Sequence, residues 1–306
     1  MGRMKKNRMA RARKVKGEMK ISFVDLHAHG MGRYDTRTKN PEMILEMARL
    51  HEKKGTGLIY PAIYPADTEA MRAQMRAVKE AMAKSPATGG IKIGGINLEG
   101  PFLNPSRCGA LDSASFKSAT LLNLKRLIGG FEDIIRIITI APELTGAKKL
   151  IARCAGLGIR VNMGHSDATM KEAREGKMAG AAGVTHLFNA MRPFHHREPG
   201  LAGFALLDDD TYVEVIADGV HLSLDTLAIV FKIKRPERII LVSDAVKGGG
   251  KDGKPVYQKG SSSLLAGGGM AVSECAQMLK KSLGVQDRLL ELWGRKNPLR
   301  FIGRNS

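Results

Sequence analysis

The stretch IIRIITIAPELTGAKKLIARCAGLGIRVNMGHSDATMKEAREGKMAGAAGVTHLF, residues 134–188, decides the fold. It holds three short apolar, β-branched runs at 134–142, 159–165 and 183–188. Two stretches at helical spacing, 145–156 and 169–179, separate them. Unbroken apolar runs imply strands buried on both faces, as in a parallel sheet covered by helices. The same unit repeats outward in both directions. Upstream lie ISFVDLH (21–27), GLIYPAIY (57–64) and IKIGGINLE (91–99); downstream lie YVEVIAD (212–218) and RIILVSD (238–244). Helices are expected at 41–55, 67–84, 115–129 and 222–233, with two more near 270–284 and 286–293. Residues 189–211 read as loop-rich, and 248–269 as a Gly/Ser-rich loop. Eight strands alternating with helices predict an α/β fold of the (β/α)8, TIM-like barrel type. A doubly wound open sheet is the runner-up.

Composition bounds the rest. The 306 residues are 43% hydrophobic and only 5% aromatic, so the core must be aliphatic and methionine-rich. One barrel domain over 21–306 accounts for the length, preceded by a basic tail at 1–20 that is expected to be disordered. That tail holds nine of the Lys/Arg residues and one Glu of a chain whose formal charge is +19. It contains no aromatic residue, so a nucleic-acid partner is not expected. No apolar run reaches the ~20 residues a membrane helix needs, and no apolar segment follows the basic start as in a secretory signal. Cys108, Cys154 and Cys275 are far apart and in no paired motif. A reducing, cytoplasmic setting fits them.

A barrel predicts that functional side chains gather at the C-terminal ends of its strands. The polar residues obey that rule. His27 and His29 stand two apart at the end of the first strand, which puts both imidazoles on one face. Glu99 ends the third, His165 the fifth, His186 the sixth and Asp244 the eighth. A lone histidine on an apolar strand is usually a hydrogen-bonded core residue. Four histidines and two carboxylates aimed at one mouth instead suit a divalent cation with N/O ligands, such as Zn²⁺.

These residues lie in FVDLHAHG, NLEGPFLNPSRCGA, TIAPE, GHSDAT, THLFNAM, REPGLAG, ADGVH and LVSDA. In that order and spacing, from about Phe23 to about Gly303, they resemble the N-acetylglucosamine-6-phosphate deacetylase family of the amidohydrolase superfamily. The resemblance implies deacetylation of a phosphorylated N-acetyl amino sugar with one or two divalent ions. It implies Glu99, His165 and His186 as the principal metal ligands, His27 and His29 as support for a second ion, and Asp244 as the catalytic acid/base. Asn189, Ala190, Arg197 and His221 match substrate-binding positions, and Ala110 and Leu265 fall in segments that border the substrate. A homodimer is also implied.

Three features depart from the family. Leu111, in RCGAL, stands where relatives carry a histidine that orients the substrate carbonyl. The β-sandwich that relatives build from both chain ends is not expected, since the first barrel strand comes almost at once and little follows NPLRFIG (297–303). The basic tail has no counterpart. Two other readings therefore stay open: an amidohydrolase for another N-acetyl sugar or a cyclic amide, and a catalytically impaired barrel with a binding role. His195 and His196 are candidates to replace the missing histidine.

Overall fold

The computed structural model describes residues 22–85, 90–250 and 253–304; the basic tail at 1–20 lies outside them. Eight barrel strands run in chain order: β1 (Phe23–Ala28), β2 (Thr56–Ile63), β3 in two pieces (Lys92–Ile93 and Ile96–Leu98), β4 (Ile135–Ile140), β5 (Arg160–Met163), β6 (Gly183–Val184), β7 (Tyr212–Ile216) and β8 (Ile239–Val242). Each pairs in parallel with the next in sequence. A parallel bridge between Ala28 and Ala245 carries the sheet round to its start. Across the same seam the Asp244 N–H donates to the His27 carbonyl at 2.9 Å. The expected (β/α)8 barrel is therefore the fold, and the open sheet is set aside.

Helices cover the outside: α1 (Pro41–Lys53), α2 (Thr68–Lys84), α3 (Leu121–Ile128), α4 (Ala147–Gly156), α5 (Met170–Met178), α6 (Gly200–Leu207), α7 (Leu224–Ile233), α8 (Val272–Leu283), α9 (Asp287–Glu291) and α10 (Asn297–Phe301). Their starts follow local chemistry. Asn40 and Asp67 accept backbone N–H bonds from Glu42 and Ala70, and Thr169 with Glu172 forms a reciprocal capping box. Each satisfies donors that a helix start leaves unpaired. Met47, Met71, Met75 and Val78 pack inward against the sheet. Inside the barrel, Leu26, Tyr60, Ile137, Ile216 and Ile240 form a second core. Phe301 of α10 joins that core from the bottom.

The structure corrects several sequence boundaries. β3 is not continuous over 91–99. A Cβ on Gly94 would lie 2.4 Å from the Tyr60 ring, and Gly95 sits at φ +148°. Only glycines let the strand pass this buried tyrosine. α3 starts at Leu121 rather than near 115, because the Thr120 side chain caps it. The loop-rich 189–211 contains α6, whose residues Gly200 to Leu206 are all buried. A helix buried on every side shows no amphipathic stripe. The Gly/Ser-rich 248–269 holds an antiparallel ladder of Val256–Tyr257 with Leu265–Gly267. After α9 a π-helical turn, Leu292–Lys296, leads into α10, beyond the expected end near 293.

Candidate active site

The strand ends do not simply stop; they bend. His165, His186 and Asp244 sit at φ +47°, +27° and +45°. Positive φ is uncommon outside glycine, although Asp and His tolerate it better than most residues, and it marks backbone that the surroundings hold in place. The bend turns each side chain from the strand line into the barrel mouth. There, Glu99 is the hub. Its Oε1 lies 3.0 Å from His165 Nε2 and 3.1 Å from His186 Nε2. Its Oε2 lies 3.1 Å from His29 Nε2, and Oε1 is 3.6 Å from His27 Nε2. Asp244 Oδ1 is 3.6 Å from His27 Nε2 and 3.7 Å from His29 Nε2. Glu99 and all four histidines are at most 4% exposed.

This donor set fits a divalent cation. Ligand atoms at ~2.1 Å from a tetrahedral ion stand roughly 3.4 Å apart. Among His27, His29 and Asp244 the separations of 3.2, 3.6 and 3.7 Å bracket that value, and among Glu99, His165 and His186 those of 3.0, 3.1 and 3.1 Å fall slightly inside it. The Nε2 atoms of His165 and His186 face each other at 3.1 Å, as do those of His27 and His29 at 3.2 Å. Facing lone pairs repel unless a proton or a cation lies between them. With protons alone, burial opposes charging His27, but the Glu214 carboxylate on Nδ1 and the charges of Asp244 and Glu99 push it up to about 10. Burial likewise works against ionised Glu99, yet the imidazoles of His165 and His29 hold it well below the usual carboxylate range. Metal binding at such a set releases protons.

Supporting groups fix the imidazoles. His27 Nδ1 is 3.2 Å from Glu214 Oε2, and Asn162 Nδ2 donates to the other Glu214 oxygen at 2.8 Å. His165 Nδ1 is 3.0 Å from the Arg107 carbonyl. Each partner accepts the Nδ1 proton and leaves the Nε2 lone pair facing the cage. Arg107 and Arg192 both clasp Asp167, and Glu143 accepts from Asn104, Ser166 and Asp167, so the loops after β3, β4, β5 and β6 form one network. Sequence reasoning missed Glu214, although an acid inside the apolar run YVEVI was its signal.

A cavity of about 240 Å³ opens over the cage. His29, Glu99, His165, His186 and Asp244 form part of its wall, together with Asn189, Ala190, His221, Ala110 and Leu265. His27 lies behind the wall, fully buried. Asn189 donates to the His186 and Leu187 carbonyls. His221 Nδ1 is 2.7 Å from Asp218 Oδ2; burial works against the Asp218 charge, but His221 keeps that carboxyl below its usual value. Arg197 is exposed, beside His196, and does not line this cavity; nor do His195 and His196. Leu111 does line it. So does Tyr64, which the sequence reading passed over. Its ring stacks on His29 with centroids 3.7 Å apart, and Arg37 sits over it at 4.5 Å. Burial raises its phenol well above the ordinary value.

A cage of imidazoles and carboxylates at the mouth of a (β/α)8 barrel defines a metal-dependent hydrolase. The chain belongs to the amidohydrolase family, whose model matches residues 19–258. It is 30% identical over 259 residues to an N-acetylgalactosamine-6-phosphate deacetylase of Escherichia coli O157:H7, covering 82% of this chain and 68% of that protein. It is 33% identical over 252 residues to the N-acetylglucosamine-6-phosphate deacetylase of Bacillus subtilis, covering 82% and 63%. Among solved structures, it matches a variant N-acetyl-D-glucosamine-6-phosphate deacetylase of Mycobacterium smegmatis in complex with N-acetyl-D-glucosamine 6-phosphate, with TM-score 0.84 and 29% identity over 92% of this chain and 77% of that one. The chain thus spans about two thirds of the length of the two curated relatives. Among the described residues, no helix is long and apolar enough to cross a membrane.

Proposed function

We propose that this chain, as a single catalytic barrel over residues 21–306, deacetylates N-acetylglucosamine 6-phosphate to glucosamine 6-phosphate and acetate. The observation that carries this reading is the convergence of Glu99, His165, His186, His27, His29 and Asp244 on one cavity. Glu99, His165 and His186 would hold one divalent ion. His27 and His29, with Asp244 beside them, would hold a second. The nitrogen-rich set favours Zn²⁺. Such an ion, when bound, lowers the pKa of water toward ~7 and polarises a carbonyl.

The chain's own residues supply the rest. Asp244, at the cavity wall, accepts a proton from the attacking water at a carboxylate oxygen and returns it to the leaving nitrogen as the C–N bond breaks. His221, held through Nδ1 by Asp218, presents Nε2 to a sugar hydroxyl. Asn189 and Ala190 border the sugar phosphate, and Arg197 would bind phosphate as a fixed planar cation. Arg197 stands outside the cavity of a single chain, which accords with a homodimer. Ala110 and Leu265 flank the acetyl end. We place the reaction in the cytoplasm.

The test is metal analysis of the purified protein, followed by acetate release from a panel of N-acetylhexosamine phosphates. Bound zinc and fastest release from the glucosamine compound are expected. No bound metal and no acetate from any member would sink the reading. The galactosamine-specific relative supports one second reading, in which N-acetylgalactosamine 6-phosphate is the better substrate; the same panel decides it.

A further inference from the structure

The cavity lacks a histidine where the family resemblance places a donor for the substrate carbonyl. Leu111 lines that wall and can donate nothing. Hydrolysis of an amide builds negative charge on the carbonyl oxygen, and a fixed donor aimed there is worth about 10²–10³ in rate. The other polar side chains of the cavity are already committed. Asn189 Nδ2 is spent on two backbone carbonyls. The Nε2 atoms of His29, His165 and His186 point at Glu99. Asp218 fixes the Nδ1 of His221. Ser263 is exposed at the rim. His195 and His196 lie outside.

Tyr64 remains. Among the described residues its hydroxyl makes no hydrogen bond, and its side chain lines the cavity. Its place is fixed by topology. Ile63 pairs with Leu98, so Tyr64 follows β2 directly beside Glu99. Its ring lies flat on His29, within 19° of parallel. Arg37 covers the other face, and Asp35 holds both Nε and Nη2 of Arg37, at 3.0 and 2.8 Å. A side chain gripped on both faces needs no reorganisation as charge develops.

We propose that Tyr64 takes the place of the missing histidine, donating a hydrogen bond from its phenolic O–H to the acetamide carbonyl oxygen as water adds to the carbon. The O–H bond is not broken; the proton that moves is the one Asp244 carries. This inference rests on the deacetylase reading above.

Tyr64→Phe tests it, because phenylalanine keeps the ring and its stack on His29. The variant should bind metal as the wild type does, keep KM within about threefold, and lose about 10²-fold in kcat. Adding Leu111→His to Tyr64→Phe should restore at least tenfold of that loss. A Tyr64→Phe enzyme with wild-type kcat overturns the inference and leaves the deacetylase reading standing. Loss of metal in step with rate also overturns it, since Tyr64 would then act by packing His29. If the wild type itself releases no acetate, the deacetylase reading falls and takes the inference with it.

Discussion

Asp244 stands at φ +45°, 3.6 Å from one imidazole and 3.7 Å from another. The proposed reaction asks it to carry a proton, which an amide cannot do. Asp244→Asn should therefore keep the ion at Glu99, His165 and His186 while losing about 10²–10⁴-fold in kcat; metal content and acetate release measured side by side check this. Behind the site, Asp25 and His51 form a buried couple with Oδ2 and Nδ1 3.8 Å apart. Burial pushes the Asp25 carboxyl up to about 6 and the His51 imidazole down to about 4. In the unfolded chain, near pH 5, the histidine holds the proton; in the fold, the aspartate holds it. The two forms then bind equal numbers of protons, and the couple adds little pH dependence. Asp25→Asn removes the compensation. The neutral, buried His51 then contributes stability that is present above ~6.5 and lost as pH falls toward 4. Relative to wild type, the metal-free variant should lose roughly 2 kcal/mol between pH 7 and 4.5 by urea denaturation. Equal pH profiles would refute this. At this scale the strand-end rule found the cage residues, because catalytic geometry in a barrel is tied to position along a strand. It missed Glu214, since no rule ties a supporting carboxylate to a strand's middle. It missed Tyr64 because a tyrosine at a strand end looks like core.

Among the elements, the barrel strands were legible because β-branched runs with both faces buried leave a continuous apolar signature. What sequence could not show was interruption and enclosure. The Gly94–Gly95 break in β3 depends on Tyr60, a residue of another strand. α6 is buried at every residue from Gly200 to Leu206, which erases its periodicity. The C-terminal run of α9, π turn and α10 is legible only in part, since its purpose lies in what it covers. Phe301 enters the barrel core beneath Tyr60, at 2% exposure, with its ring 5.2 Å from that of Tyr212. Phe301→Ala should lower stability by about 3–5 kcal/mol through lost burial and a cavity. Metal content and kcat of the folded protein should be unchanged, because the cage lies at the opposite end. Denaturant titration together with acetate assays separates the two effects; a kcat loss without a stability loss would count against the plug.

For the molecule as a whole, the cavity over the cage lies at the C-terminal mouth of the barrel. Leu26, Tyr60, Ile137, Ile216, Ile240 and Phe301 fill the barrel interior below the cage, so the cage forms the inner wall of that cavity. Two products that leave through that one mouth form a queue. In the proposed reaction the acetyl group lies innermost and the sugar phosphate outermost, so the amino sugar must leave before acetate can. Acetate is then the last product to depart, and it meets the same free enzyme that substrate does. Acetate should accordingly inhibit competitively against the N-acetyl sugar phosphate, while the amino-sugar product inhibits noncompetitively. Initial-rate measurements with each product added would reveal the reverse pattern if the molecules left in the other order.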